Sequence, residues 1–485
     1  MIELSNPKSA ARVDSDMLGE CVIDNASLYG IHTWRALGNF PISGVQLGTE
    51  VEYVAALATT KLAAAQANHA LGLLSDHQFH ALSAACREVM EGRHLDHFQV
   101  DVMEGSGGTS TNMNVNEVLA NRALDLLGVA RGDYTALHPN DHVNRSQSTS
   151  DVVPTAMKLA TFRKLTGLER QLEELGEAFK AKGREFANVL RLGRTCLQDA
   201  LPMTLGQAFG AYGELVRRQA DMVGRTKTAL LAVPLGGTGI GSGLGTLPGY
   251  REKAVAALRE ATGIPFHSAD DLFDATQNMD VFARVSAELR TTALSIAKIA
   301  TDLMILSSGP VGGMAEISLP EKQAGSSMMP GKVNPVVPIA FCQVAFAVAG
   351  NDACIAIAAN QGHLEINNYE PLIAARLFES LRLLTNGVGT FTSACVRGIA
   401  ANEETCAAHL LGSTAIASAL SPSLGYKRVS ELVRTSRREG ITFLDLLERE
   451  NVMPRAKAMA LIQEATGQVP GGLDGAGTAG PALPV

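Results

Sequence analysis

The stretch FARVSAELRTTALSIAKIATDLMIL, residues 282–306, sets Phe282, Val285, Leu289, Ile296, Ile299, Leu303 and Leu306 three, four or seven positions apart. That spacing draws one apolar seam down a single long helix. A seam of this length needs partners of equal length, and residues 153–186, 205–231, 336–360 and 371–396 supply them. Five helices of roughly 25 to 35 residues would each span about 35 to 50 Å at about 1.5 Å per residue. The spacing predicts an all-α protein built on a long helix bundle.

Composition agrees. Aromatic residues make up only 5% of the chain, while alanine, leucine and glycine abound, which favours helices packed through small side chains over a β-sandwich. At 485 residues the chain is longer than one hydrophobic core normally serves, so two or three domains are expected. A net charge of -8 gives no field that would gather nucleic acid or an anionic membrane. The 7 cysteines form no Cys-x-x-Cys pair and read as free, mostly buried thiols of a reducing compartment. The first 13 residues hold no apolar signal core, and no unbroken run approaches 18 uncharged apolar residues. A cytoplasmic protein with no membrane partner is expected.

No internal repeat is visible. The pattern divides into a helical domain over 1–150, the central bundle over 151–404, a small helical domain over 405–468 and a disordered tail over 469–485, rich in Gly, Pro and Ala. The run Pro234-Leu235-Gly236-Gly237-Thr238-Gly239-Ile240-Gly241-Ser242-Gly243 lacks the Gly-x-Gly-x-x-Gly spacing and any βαβ context, so it reads as a turn near a bundle end and not as a phosphate cradle. There is no P-loop and no His-Glu-x-x-His, and Pro139 disfavours a helical metal pair of His138 with His142. No nicotinamide or flavin fingerprint appears. Neither a cofactor nor a metal is expected.

Between two of the helical stretches lies Gly325-Ser326-Ser327-Met328-Met329-Pro330-Gly331-Lys332-Val333-Asn334-Pro335. Two glycines and a proline break regular structure, and two hydroxyls, an ammonium and a carboxamide follow within nine positions. By residue type, Lys332 and Asn334 suit a carboxylate, and a deprotonated serine suits proton abstraction from carbon. The bland alternative is an ordinary helix-connecting loop. The stretch resembles the signature loop of the aspartase/fumarase superfamily, Gly-Ser-Ser-x-Met-Pro-x-Lys-x-Asn, at every fixed position. Gly107-Gly108-Thr109-Ser110-Thr111-Asn112-Met113-Asn114, His138-Pro139-Asn140-Asp141-His142-Val143-Asn144, and Gly193-Arg194-Thr195 with Leu197-Gln198-Asp199-Ala200 are also similar to family segments. The resemblance runs from about residue 12 to about 465.

The resemblance implies a three-part fold in which four chains pair their bundles into a 20-helix core, with each active site drawn from three subunits. It also implies anti-elimination from a small succinyl dicarboxylate to give fumarate. The proton removed sits beside a carboxylate, so a dianionic aci-carboxylate must be stabilised by donors already in place. Position by position, Thr109, Ser148, Thr149 and Ser327 match the cluster around that carboxylate. Thr195, Lys332 and Asn334 match the cluster holding the other one. Ser326 matches the general base, a role requiring backbone N–H groups and positive charge to stabilise its alkoxide. His142 resembles a secondary anion-site residue of the fumarase branch, with a satisfied loop histidine as the alternative.

Tyr29-Gly30-Ile31-His32-Thr33, Leu319-Pro320-Glu321-Lys322-Gln323-Ala324, Pro335-Val336-Val337-Pro338 and Gly350-Asn351-Asp352 are similar to the aspartase branch, whereas Glu365-Ile366-Asn367 looks more fumarase-like. Two positions depart from the family pattern. Ser150 stands where Asn is usual in Gln-Ser-Thr-Asn-Asp, and Cys196 where His or Gln is usual after Gly-Arg-Thr. Both match positions that would contact an ammonium leaving group, and both are shorter or weaker acceptors than the usual residues. Aspartate ammonia-lyase chemistry is the first expectation. A lyase for an N-substituted aspartate or nitrosuccinate is the second, and fumarate hydratase the third. A retired, non-catalytic scaffold would be expected to have lost its base, and Ser326 is still present.

Overall fold

A computed structural model describes residues 11–467, and the tail expected over 469–485 lies outside them. Five long helices carry the fold: Thr149–Glu185, Leu205–Thr226, Asp280–Leu306, Val336–Ala359 and Glu370–Ala394. The second ends short of residue 231 because Lys227–Leu230 tightens into a 3-10 turn. All seven seam residues, Phe282 to Leu306, are buried.

By its contacts the chain forms two compact units. Of the described residues, one takes those up to Leu172 with Arg218–Ala297 and Phe341–Val388, and the other takes Glu173–Arg217, Lys298–Ala340 and those from Gly389 to Gly467. Each unit holds part of every one of the five helices.

In the first unit the bundle segments are joined by polar pairs as well as by the seam. Arg290 Nη1 lies 2.6 Å from Asp352 Oδ2, Asn351 Nδ2 donates to Ser380 Oγ at 3.1 Å, and Thr292 Oγ1 donates to Gln219 Oε1 at 3.1 Å. These pairs matter for Val336–Ala359, which is long and apolar enough to cross a membrane by length and composition. Asn351 and Asp352 fix it instead to neighbouring helices. Buried Asn367, in the segment that looked fumarase-like, donates to the carbonyls of Ala358 and Ala359 at 3.1 and 3.2 Å and so caps that helix.

In the second unit, Phe179, Phe209, Tyr212 and Phe391 pack edge-on or tilted, with Phe179 ring centroids 5.7 to 6.3 Å from the other three. The helix backbones come close here: a Cβ on Gly206 would lie 2.5 Å from the Gly183 carbonyl oxygen, so no side chain fits. A second core gathers Leu410, Ile416, Leu420, Leu444, Leu447 and Ile462 from the short C-terminal helices.

The all-α expectation needs one amendment: among the described residues there are four two-stranded ladders. Two are hairpins of full length, Ala11–Asp16 with Gly19–Asp24 and Leu190–Thr195 with Gln198–Thr204. The second hairpin is bound to its unit through Glu316, which is fully buried. Arg194 Nη1 lies 2.7 Å and His409 Nδ1 3.0 Å from Glu316 Oε1, and Arg191 Nη2 lies 3.0 Å from Oε2. Truncating one member of such a cluster strands the others in low dielectric, so Glu316→Ala is expected to cost about 3–5 kcal/mol. Thermal unfolding measures it, and a loss below ~1 kcal/mol would mean the cluster is no more than a surface pair.

Candidate active site

The ten candidate residues fall into three groups: Thr109 with Ser148, Thr149 and Ser150; Thr195 with Cys196; and Ser326, Ser327, Lys332 and Asn334. Thr109 opens the Thr109–Leu126 helix and Thr149 opens the Thr149–Glu185 helix. Their hydroxyl oxygens are 3.2 Å apart. The approach depends on Gly108, whose φ is 88° and on which a Cβ would sit 3.3 Å from the Thr149 methyl and both Val153 methyls. Two helix N-termini with paired hydroxyls suit an incoming carboxylate, which the partial positive charge of each helix start attracts.

Ser148 and Ser150 are held by their surroundings. Asp151 Oδ1 accepts from the Ser148 amide at 2.8 Å, half of a capping box, and Oδ2 accepts from the Gly236 amide at 2.9 Å. The Ser150 hydroxyl donates to the Gly239 carbonyl at 2.6 Å and lies 3.1 Å from the Ser148 hydroxyl. The glycine-rich turn is therefore a brace for this helix start. Burial pushes the Asp151 carboxyl up to about 6, against the pull of its backbone donors.

Beneath the hydroxyls lies a polar network that motif reading missed. Asn144 Oδ1 accepts from Lys61 Nζ at 2.8 Å and from the carboxamides of Asn112 and Asn116 at 3.2 Å each, and the Asn112 carboxamide also reaches Thr149 Oγ1 at 3.4 Å. Lys61 is fully buried. A signal existed: a single lysine in the small apolar run Ala63-Ala64-Ala65 and its flanks, with Asn112 and Asn116 one helical turn apart. His142 is satisfied locally, since its Nδ1 accepts from the His138 amide at 2.8 Å, and burial lowers its pKa.

Thr195 and Cys196 stand exposed at the turn of the 190–204 hairpin. Cys196 and Leu197 have φ of 52° and 61°, the left-handed pair of a tight two-residue turn, an unusual place for such side chains. The third group is organised by its backbone. Gly325 donates to the Lys332 carbonyl at 2.7 Å, and Asn334 Nδ2 donates to the Gly325 carbonyl at 2.7 Å. A Cβ on Gly325 would meet the Lys332 carbonyl at 2.7 Å. Within this closed loop the Ser326 hydroxyl oxygen accepts from the amides of both Met328 and Met329 at 3.1 Å. Paired N–H donors on one hydroxyl oxygen favour its anionic form. Ser327 and Lys332 are exposed.

Residues 19–350 match the model of a family described as lyase. The chain belongs to this lyase family, within the aspartase/fumarase superfamily. The lyase is 44% identical over 452 residues to the aspartate ammonia-lyase of Pseudomonas aeruginosa, covering 93% of this chain and 95% of that one. In fold it is similar to a cobalt-bound fumarate lyase:delta crystallin from Brucella melitensis, with a TM-score of 0.92, 41% identity and coverage of 94% of this chain and 100% of that one. It is also similar to a class II fumarase from Schistosoma mansoni, with a TM-score of 0.89, 33% identity and coverage of 95% and 100%.

The buried Lys61 of the lyase gives a pH test. Burial pushes its ammonium down to about 7 from an ordinary 10.5, partly offset by Asp151. Between those values the unfolded chain binds the extra proton, so the Lys61 contribution to stability rises with pH across that window. The melting temperature of the protein is expected to gain on that of Lys61→Met as pH is raised from about 7 to about 10. A difference that stays flat would show that Lys61 keeps its charge when folded.

Proposed function

We propose that this lyase eliminates ammonia from L-aspartate to give fumarate. The observation that carries the reading is the Ser326 oxygen at the focus of the Met328 and Met329 amides. With those two donors stabilising the alkoxide, Ser326 takes the proton from the carbon beside one carboxylate. The electron pair of that C–H bond passes through the aci-carboxylate to form the C=C bond, and the C–N bond breaks on the opposite face. Thr109, Ser148, Thr149 and Ser327 donate to the dianionic carboxylate, and Thr195, Lys332 and Asn334 hold the other. No cofactor is required by this scheme.

The three residue groups are assigned to sites shared within a homotetramer. Support comes from apolar side chains left exposed on the bundle helices: Leu294, Ile339, Phe346 and Ile357 are 40 to 65% exposed. Such a row on long helices suits burial against further copies. The three-domain partition at residues 150 and 404 belongs to the same reading. A cytoplasmic location is supported by free thiols, five of them buried, at Cys21, Cys86, Cys342, Cys395 and Cys406.

Ser150 and Cys196 favour a second reading, a lyase for an N-substituted aspartate or nitrosuccinate. The Ser150 hydroxyl is committed to the Gly239 carbonyl, which leaves no carboxamide to receive an ammonium. A fumarate-absorbance assay on L-aspartate, L-malate, N-substituted aspartates and nitrosuccinate separates these readings, malate turnover marking a hydratase. Ser326→Ala is expected to fold normally and lose about a hundred- to ten-thousandfold in kcat; near-normal turnover would remove Ser326 as the base. Ser150→Asn with Cys196→His is expected to raise kcat/KM for L-aspartate, and an unchanged value would mean that these positions do not read the leaving group.

A further inference from the structure

Away from the candidate catalytic residues, the second unit holds a cavity of about 490 Å³ between the strand Gln198–Thr204 and the helices that follow residue 413. Arg434 and Arg437 line it together with the hydroxyl residues Ser413, Thr414 and Ser430. Among the described residues neither arginine has a carboxylate partner, whereas neighbouring Arg428, Arg438 and Arg449 each do. Their orientation is fixed by neutral groups: Arg437 Nη2 donates to Thr414 Oγ1 at 3.0 Å, and Arg434 Nε donates to the Ser430 carbonyl at 3.4 Å. One carboxylate, Asp199, lies on the wall and accepts from Ser413 Oγ at 2.6 Å. Two guanidiniums against one carboxylate leave the cavity with a net positive charge.

We propose that this cavity is a second ligand site, for a small dianion bearing carboxylate or phosphate oxygens, gripped by Arg434 and Arg437. Guanidinium forks and hydroxyls are the groups that recognise such oxygens. The site bears on the hairpin, because Asp199 lies on the strand that follows the Thr195–Cys196 turn and is tied to Ser413 across the cavity wall. A bound dianion thus restrains the element carrying two candidate site residues. The inference does not depend on the reaction proposed above.

Hydrogen exchange of the full-length protein, read by mass spectrometry with inorganic phosphate alone or succinate alone, tests it. At a ligand concentration tenfold above Kd, exchange in residues 190–204 and 413–437 is expected to slow by about tenfold. Arg434→Ala with Arg437→Ala, both at exposed positions, is expected to abolish that protection and leave unliganded exchange unchanged. Asp199→Asn is expected to tighten binding by removing the like charge. A response to phosphate alone assigns the site to phosphates, and a response to succinate alone assigns it to dicarboxylates. Protection confined to residues 325–335, no protection with either ion, or full protection in the double-arginine variant would overturn the proposal.

Discussion

Two helices of the first unit begin against each other at Thr109 and Thr149, and the candidate hydroxyl cluster depends on that contact. Gly108 makes it possible by having no side chain where the Thr149 and Val153 methyls come within 3.3 Å of a Cβ position. Each helix brings a first hydroxyl and a partial positive charge to the same point. Their hydroxyl oxygens stand 3.2 Å apart, the arrangement that the proposed function uses to receive a carboxylate.

Holding that register requires polar groups in an apolar interior. Lys61, Asn112, Asn116, Asn144 and Asp151 lie beneath or beside the two helix starts, and burial disfavours both the ammonium of Lys61 and the carboxylate of Asp151. Such groups are costly unless their hydrogen bonds are made, and once made they fix one arrangement. The glycine-rich turn supplies what side chains could not: a backbone amide at Gly236 for Asp151 and a carbonyl at Gly239 for Ser150.

The second unit solves the converse problem of presenting exposed groups in fixed positions. Glu316 anchors the hairpin from below with two arginines and a histidine, so that the Thr195–Cys196 turn can stand in solvent without its strands separating. The 325–335 loop is braced by its own backbone, and the Asn334 carboxamide is part of the brace. The amides of Met328 and Met329 are already directed at the Ser326 oxygen, which under the proposed mechanism lowers the work of generating charge there.

Periodicity alone located the five helices, since a seam that repeats every three or four residues has only one economical fold. The four motifs named the superfamily and its candidate residues, because residue types needed for carbanion chemistry cannot be exchanged freely. The hairpin at 190–204 was not legible: its sequence, with Gly193 in a bulge and Pro202 and charges among the apolar residues, carries no clean two-residue alternation. Nor was the network of Lys61 with Asn144, because those residues are 83 positions apart and only packing makes one lysine a buried donor. The sequence by itself determined the helical architecture and the superfamily, and supplied the chemical inventory of the candidate site. Tertiary structure decided that the Ser150 hydroxyl is already committed to the Gly239 carbonyl, 89 positions away, since hydrogen bonds between distant segments exist only after the chain has brought them within about 3 Å, whereas the donors to Ser326 come from its own loop.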